Sequence, residues 1–385
     1  MRKFVIGTLL ACVGLSAFGQ KRLRSYPIDT TMFASNAHHW YDIKDKHNVI
    51  NPKKNQPRYK ADDLRAIGDN ILLYQKNNGG WPKNYDIMAI LTAGQKDSLL
   101  KDKDNLNTTF DNGTSYTHVA SLARIYQATK LQKYSDAALA GINFILKAQY
   151  ANGGWPQYYP LQKDYSRHIT FNDDVYVGIM ELLNDIKKNN DIYSFLDAEK
   201  RKEVETAFNR GIECILNTQI NDFGEVTAWC QQHDEVTLKP VWARAFEPPS
   251  ICNAESSGIV LLLMGIDNPS ERVKNAVQQA VRWFKESAID GIRVKVIAAP
   301  ADTSQFTISR IDRVVVQDAT APPIWTRYYE LQTHRPLFCN RDRKVVYSLK
   351  EVARERRSGY GWYTYNPQKV LDRYPEWSKK WGVAN

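Results

Sequence analysis

The sequence predicts a fold dominated by α-helices, built from helical hairpins that repeat around an axis. A glycine-containing loop recurs after successive helical segments, with glycines at Gly80, Gly154, Gly224 and Gly291 that are 74, 70 and 67 residues apart. Each repeat has room for two helices of about 15 residues and their connections. After Ile292 the helical period fades, which predicts a C-terminal part of irregular chain and short strands.

One helix of each repeat ends in the recurrent loop. From residue 61, Leu64, Ile67 and Ile71 fall on one helical face. This helix ends at the NNGGWP motif of residues 77–82, where glycine suits a C-cap and proline cannot continue the helix. Related endings follow further helices that we predict at residues 133–149, 203–219 and 272–287. The tryptophans of these loops either fill the seams between hairpins or form a platform for sugar stacking.

The other helix of each repeat follows a turn rich in carboxylates and amides. The turns are FDN at residues 110–112, FNDD at 171–174 and NAE at 253–255, before helices predicted at 115–129, 175–188 and 258–266. Asp and Asn commonly cap helices and stabilise them by about 1 kcal/mol. Alternatively, helices of the same sense in a ring point their N-termini at one end, where these acids would converge.

The C-terminal part is predicted to pack against the helices rather than to form a second domain. We expect strands at residues 292–297, 311–316 and 344–349 and a short helix near residues 351–357. A single domain would then span residues 61–385, with residues 292–385 as its irregular part. Residues 20–60 lack clear periodicity and are expected to form an N-terminal arm.

The first residues predict export. A short basic start, an apolar run and small residues are typical of a signal peptide, which we place at residues 1–19. Lipid attachment at Cys12 is the alternative, and either predicts a periplasmic or secreted protein. No later apolar stretch reaches the roughly 20 residues that a membrane span needs. The formal charge of +10 favours an acidic polysaccharide over nucleic acid as partner, and we expect a monomer.

The cysteines do not indicate chemistry. Cys214, Cys230, Cys252 and Cys339 have no metal-like spacing, so disulfides and buried free thiols both remain open. The GxSxG and P-loop motifs are missing from the sequence, which disfavours acyl transfer and nucleotide chemistry.

An arginine-rich segment points to a carboxylate-bearing substrate. Residues 324–357 hold seven arginines among aromatic residues. Arginine binds carboxylates bidentately and stacks on rings. The segment around Arg244 and Glu247 repeats the aromatic, arginine, aromatic and glutamate order found around Arg327 and Glu330. Each arginine could pair with its own glutamate or bind substrate.

The acidic turns could hold a hard cation. Their oxygen-bearing side chains are Asp111, Asn112, Asn172, Asp173 and Asp174. Such ligands suit Ca²⁺ better than Mg²⁺ or Zn²⁺. The histidines nearest to these turns and to the arginine segment serve either as general bases or as structural hydrogen-bonding groups; they are His118, His168, His233 and His334.

These motifs together resemble the pectate lyases of polysaccharide lyase family ten. The resemblance extends from about Ala61 to Trp362 and rests on NGGWPK, FDNGTSYTHVASLARIY, NGGWPQYYP, YSRHITFNDD, RAFEPPS, WTRYYE, THRPLF and NRD. It implies an (α/α)3 toroid and a calcium requirement. The implied activity is endo-acting β-elimination on polygalacturonate, the demethylated form of pectin, which gives 4,5-unsaturated oligogalacturonides.

The resemblance also implies roles for single residues. Arg341 of the NRD motif would be the Brønsted base. Arg327 and Arg356 would hold uronate carboxylates, with Arg244 as a further substrate-binding residue. The metal and substrate contacts of the acidic turns would come from Asp173, from Asp174 as its alternative, and from Asp111.

Two other functions stay open from the residues alone. A glycoside hydrolase on a helical toroid would use two carboxylates, for instance Asp111 with Glu255 or Asp173. A non-catalytic protein that binds acidic glycans would keep the arginines and tryptophans without turnover.

Overall fold

The computed structural model describes residues 40–45, 47–188, 191–303 and 308–383. The predicted signal peptide and the first half of the predicted arm therefore lie outside the described residues. The predicted dominance of helices is confirmed, since 44% of the described residues are helical. The helices of the described residues are α1 (Leu64–Tyr74), α2 (Ala93–Lys101), α3 (Tyr116–Thr129), α4 (Gln132–Ala148), α5 (Val175–Lys188), α6 (Ala198–Thr218), α7 (Asn253–Met264), α8 (Glu271–Glu286), α9 (Arg354–Gly359) and α10 (Asn366–Trp381).

The helices pack as hairpins in two rows. Helix α3 packs on α4, α5 on α6 and α7 on α8. Helices α3, α5 and α7 contact one another in sequence as one row, and α1, α4, α6 and α8 do so as a second row. Helix α10, which the sequence did not predict, packs on α7 and α8. The predicted hairpins are thus confirmed, whereas their closure into a toroid stays a prediction.

Three glutamines make the same contact in successive repeats. Each side chain lies just after a helix of the second row and donates its amide to a carbonyl in the next helix of that row. The pairs are Gln75 with Ala137 at 2.9 Å, Gln149 with Ala207 at 2.9 Å, and Gln219 with Ala276 at 3.0 Å. The sequence repeat is therefore also a repeat of structure.

The tryptophans of the repeat loops fill seams between helices. Their indole nitrogens donate to carbonyls of the preceding helix: Trp81 to Ile71 at 2.8 Å, Trp155 to Ile145 at 2.9 Å, and Trp229 to Ile215 at 2.8 Å. All three rings are fully buried. The seam interpretation is confirmed, and the sugar-platform interpretation is wrong because no face of these rings is available to a ligand.

The loop glycines are required by close backbone contacts. Gly153 has φ +93°, and a Cβ atom there would lie 2.0 Å from the carbonyl oxygen of Arg210. Gly79 has φ +91°, and its Cβ would lie 2.4 Å from the carbonyl oxygen of Ala140. Only glycine allows both the left-handed conformation and this approach.

The strands are mostly two residues long, with three exceptions of twelve, ten and four residues. They are β1 (Ile169–Thr170), β2 (Asn221–Asp222), β3 (Glu225–Val226), β4 (Gln232–His233), β5 (Ile251–Cys252), β6 (Ile292–Thr303), β7 (Ile308–Gln317), β8 (Trp325–Thr326), β9 (Tyr328–Tyr329), β10 (Pro336–Cys339), β11 (Val345–Val346) and β12 (Tyr363–Thr364). A four-stranded sheet has the order β11-β10-β9-β5 and joins the C-terminal part to the start of α7.

Strands β6 and β7 form a long antiparallel ribbon inserted into the fourth repeat. The register runs from Ile292 opposite Gln317 to Thr303 opposite Ile308. Beyond the ribbon, the indole of Trp325 donates to the carbonyl of Phe284 in α8 at 2.8 Å, as the other repeat tryptophans do with their helices. The predicted strands at 292–297 and 311–316 are located correctly but are longer than expected. The predicted strand at 344–349 shrinks to β11.

The cysteines and the N-terminal arm have defined places in the structure. Cys214, Cys230, Cys252 and Cys339 are buried free thiols. The described part of the arm packs on the loop after the first repeat, where Arg58 Nε lies 2.5 Å from Asp86 Oδ2. Among the described residues, no helix is long and apolar enough to cross a membrane.

Candidate functional site

Two acidic turns lie against each other at one end of the first helical row. The turns Asp111–Gly113 and Asn172–Asp174 are in contact, and the second also contacts α7. Asn112 and Asp173 occupy equivalent positions and are both left-handed, with φ of 53° and 51°. Asn and Asp tolerate this region better than other residues with a side chain. The predicted convergence of the acids is confirmed.

The acids at the starts of α3 and α7 do not cap these helices. Neither turn has a side-chain cap hydrogen bond, nor does the start of α7. The first residue before α3 is Ser115, whose backbone amide donates to His118 Nδ1 at 3.1 Å. The capping interpretation is therefore wrong for α3 and α7, whereas for α5 it stays a prediction.

Asp111 is a buried carboxylate with one satisfied oxygen. Its Oδ2 pairs with the ammonium group of Lys83, and its Oδ1 has no hydrogen-bond partner among the described residues. Burial alone would lower the pKa of Lys83. The charges of Asp111 and Tyr158 raise this pKa by more than burial lowers it, so it lies above its ordinary value. A buried polar atom without a partner is unfavourable and commonly marks a ligand or ion position.

Asp173 carries the electrostatic signature of a shared acidic site. Burial, and then the charges of Asp111 and Glu255, raise the pKa of Asp173 to about 7, although Arg327 and Arg244 oppose the shift. Burial and Glu255 also raise the pKa of Asp174. The carboxylates therefore repel one another enough to favour a proton or a cation between them.

These acids suit a hard cation, but they would supply only some of its ligands. Carboxylate oxygens suit Ca²⁺, and the unpartnered Asp111 Oδ1 is a free ligand atom. Asp111, Asp173 and Asp174 do not each bring an oxygen within 4.8 Å of the others. In the described part of the chain, His168, Asp234 and Glu235 are the group that meets this criterion. A cation at the acidic turns would thus need further oxygens from a ligand.

Arg327 joins the C-terminal part to the acidic turns. Its Nη2 donates to Asn172 Oδ1 at 2.7 Å, and the same guanidinium pairs with Glu255 at the start of α7. The guanidinium carbon lies 4.7 Å from the centre of the Tyr360 ring. Arg327 pairs with Glu255 rather than with Glu330, the partner that the repeated motif suggested.

The other three candidate arginines share one aromatic ring. The guanidinium carbons of Arg244, Arg341 and Arg356 lie 5.0, 5.1 and 4.7 Å from the centre of the Phe246 ring. We call these three arginines and Phe246 the arginine cluster. Glu355 accepts from both Arg341 and Arg356, with a shortest distance of 2.9 Å to each.

A buried hydrogen-bond network connects the arginine cluster to Arg327. Arg244 pairs with Glu247, as the structural interpretation of its motif predicted. Glu247 also accepts from the Tyr360 hydroxyl at 2.8 Å, and this hydroxyl lies 2.6 Å from that of Tyr328. The Tyr360 ring in turn lies below Arg327. The arginines and the acidic turns are therefore parts of one site.

The structure brings the predicted residues together but at different depths. Arg327 and Arg244 both act on the charge of Asp173. The Arg327 side chain is 14% exposed, whereas those of Arg244 and Arg341 are 40% and 36% exposed. Sequence reasoning missed Lys83 and Glu355 as partners of these groups. Both stand inside motifs already recognised: Lys83 directly follows the first NGGWP, and Glu355 lies among three arginines.

Two of the four histidines have clear structural roles. Burial lowers the pKa of His118 to about 3, and its Nε2 lies 2.6 Å from the Tyr85 hydroxyl. Burial likewise lowers the pKa of His233 to about 4, and its Nδ1 lies 2.8 Å from the Leu238 carbonyl oxygen. Neutral histidines held in this way at physiological pH serve the fold.

Comparisons with known proteins identify the family. The family model described as pectic acid lyase matches residues 75–371. A mutant of the family 10 polysaccharide lyase from Cellvibrio cellulosa, in complex with trigalacturonic acid, is similar at 30% identity and a TM-score of 0.69, covering 83% of this chain and 93% of that chain. The family 10 polysaccharide lyase from the same organism is similar at 29% identity and a TM-score of 0.67, covering 83% of this chain and 92% of that chain. A search of curated proteins gave no match. The chain belongs to the pectic acid lyase family and is a polysaccharide lyase.

Proposed function

We propose that this lyase cleaves polygalacturonate by calcium-assisted β-elimination on an (α/α)3 toroid and releases 4,5-unsaturated oligogalacturonides. The main support for this proposal is that two acidic turns and four arginines lie in one site, where Arg327 links them. The similar structure bound to trigalacturonic acid supports the substrate. Pectate lyases generally depend on calcium, which supports the cation.

The reaction needs the C5 proton of a uronate residue to become acidic. This carbon is next to the carboxylate, so removal of the proton places negative charge on the carboxylate oxygens. Arg327 and Arg356 would bind uronate carboxylates, and their fixed positive charge stabilises the transition state. When bound by Asp173 and Asp111, with Asp174 as the alternative ligand, calcium would add positive charge at the same carboxylate.

Arg341 is the proposed base, with His168 and Lys350 as the alternatives. The exposed side chain of Arg341 can reach a polymer lying across the site. A guanidinium accepts a proton only in its neutral form, which nearby positive charge favours. Arg244 and Arg356 share the Phe246 ring with Arg341, while Glu355 opposes their effect. Burial lowers the pKa of Arg244, but the Glu247 carboxylate raises it by more and favours the charged form, so the alternatives are His168 and Lys350.

The setting of the enzyme follows from its proposed substrate. We propose an exported monomer in which residues 61–385 form one catalytic domain. A signal peptide at residues 1–19 would direct it to the periplasm or the medium, with lipid attachment at Cys12 as the alternative. Polygalacturonate is an extracellular polymer, which supports this location, and the formal charge of +10 suits an acidic substrate.

The proposed reaction is tested by following two products at once. Purified protein is incubated with polygalacturonate in calcium-containing alkaline buffer while ultraviolet absorbance and reducing ends are measured. A lyase raises both in step, and a chelator stops both. A glycoside hydrolase would release reducing ends without absorbance and would survive chelation. A binding protein would release neither, and either of these results would overturn the proposal.

A further inference from the structure

A cavity that the sequence did not predict lies beside the acidic turns. It has a volume of about 360 Å³ and is bordered by Trp40 and Asp45 of the arm, by Lys83 after the first repeat loop, and by Tyr158 and Tyr165 after the second. Ligand pockets commonly measure about 300 to 1,000 Å³. The cavity therefore has room for a small unit such as a single sugar residue.

The cavity is continuous with the proposed site. Lys83 borders the cavity and pairs with Asp111, so the two spaces share one ion pair. Tyr165 also borders the cavity, and the charges of Arg244 and Asp111 both act on it. A polymer held at the arginine cluster could therefore continue into the cavity.

The cavity wall suits the face of a sugar ring. Trp40, Tyr158 and Tyr165 are half-buried, so each ring offers part of its surface to the space that it borders. Half-buried aromatic rings provide large, rigid, apolar contact area with polar groups at the edges. This differs from the repeat tryptophans, whose rings are fully buried.

The charges around the cavity oppose those of the arginine cluster. Asp45 and Asp164 border it, and no arginine stands among the described residues that line it. Its lysine, Lys83, is already paired with Asp111. A uronate carboxylate in this cavity would meet two acids without a free guanidinium, and like charges at close range disfavour binding.

We propose that the cavity is a subsite for an uncharged sugar residue, specifically a galacturonosyl residue whose carboxyl is esterified. The inference rests on the proposed lyase function and adds a preference to it. The enzyme would grip free carboxylates at the arginine cluster and accept an esterified residue beside them. Sparsely methyl-esterified chains would then be better substrates than fully demethylated chains of the same length.

The test compares kcat/KM on these two substrates across variants. Asp45→Asn with Asp164→Asn removes both charges, while asparagine oxygens can still accept the backbone hydrogen bonds from His47 and Ser166. We expect kcat/KM on the demethylated chain to rise about threefold to tenfold, with little change on the esterified chain. Trp40→Ala should lower kcat/KM on the esterified chain about tenfold. Asp97→Asn, an exposed change on α2, is the matched control.

The outcomes separate the subsite from the underlying function. The subsite inference is overturned if the double asparagine variant leaves the ratio of the two kcat/KM values unchanged, or if folded Trp40→Ala protein cleaves both chains like the wild type. Failure of the lyase proposal looks different, because the wild type would then give no unsaturated product from either chain. Thermal unfolding of each variant confirms that the protein is folded.

Discussion

Arg327 donates to the side chain of Asn172 at 2.7 Å, although the two residues are 155 positions apart. The same guanidinium pairs with Glu255 at the start of α7. One buried cation thus holds the C-terminal part against the second acidic turn and against a third helix of the first row. The site depends on this link because the acids and the arginines come from opposite ends of the chain.

Replacing Arg327 should damage both stability and activity. Arg327→Ala leaves Glu255 buried without its partner, and breaking a buried ion pair costs about 3–5 kcal/mol. We expect a clear drop in the free energy of unfolding, measured by urea denaturation, together with loss of turnover. The double variant Arg327→Ala with Glu255→Ala should recover part of the stability but no activity. An unchanged unfolding midpoint in the single variant would refute the role of this pair.

Glu355 should position the two guanidiniums that it bridges. Glu355→Gln keeps the shape but loses the charge that holds Arg341 and Arg356, so we expect kcat/KM on polygalacturonate to fall about tenfold. The side chains of Glu355 and Arg356 are only 13% and 11% exposed, so the free energy of unfolding should also fall, by about 1–3 kcal/mol. The matched control is the exposed Glu351→Gln, which should behave like the wild type. Equal activity of both variants would exclude the positioning role.

Stability without divalent cations should fall as the pH rises through the range where Asp173 ionises. The pKa of Asp173 is raised from 3.8 to about 7, so the folded state retains a proton that the unfolded chain has lost. The resulting destabilisation is absent below pH 3.8 and complete above about pH 7. Asp173→Asn should therefore be more stable than the wild type at pH 8, by on the order of a few kcal/mol, and similar to it near pH 4.

Calcium should make the wild type more stable than Asp173→Asn at pH 8, which reverses the order expected without divalent cations. Added to the wild type at pH 8, calcium should raise the thermal unfolding temperature, whereas Asp173→Asn should respond weakly because it lacks one ligand charge. A wild-type unfolding temperature that ignores both pH and calcium would contradict the acidic site described above.

The choice of base is settled by two alanine variants. We expect Arg341→Ala to lower kcat by about 100-fold to 10,000-fold while polygalacturonate affinity is largely retained. Arg356→Ala should lower turnover and also weaken polygalacturonate binding. Turnover is followed by ultraviolet absorbance and affinity by equilibrium binding. If Arg341→Ala kept near-normal turnover, the base would have to be sought elsewhere, with His168 and Lys350 as the next candidates.

Much of this fold could be predicted because the sequence repeats. The positions of glycine and proline marked the helix ends, and a phenylalanine followed by Asp and Asn marked each of the two acidic turns. Helix α10 escaped notice because its apolar residues mix with charges and Pro375 lies inside it. The fourth repeat was hard to recognise because the inserted ribbon separates Trp325 from α8 in the sequence. In the structure, Trp325 still contacts this helix at the carbonyl of Phe284.

The partners of the site residues were harder to predict than the residues themselves. The motif around Arg327 suggested Glu330 as its partner, yet the pair forms with Glu255, far away in the chain. Ion pairs between distant segments depend on tertiary packing, which local spacing does not record. For the same reason, the cavity bordered by Trp40 and Tyr165 had no sequence signal.

The central claim is that the acidic turns and the arginines act on the same uronate, and one measurement tests it most directly. Calcium binding is titrated calorimetrically at pH 8 with and without trigalacturonate, using Arg341→Ala protein to prevent turnover. If the acidic turns and the arginines bind the same uronate, trigalacturonate should increase the calcium affinity, and calcium should increase the trigalacturonate affinity by the same factor. Asp173→Asn should abolish this coupling. Calcium affinity that is independent of the sugar would contradict the account.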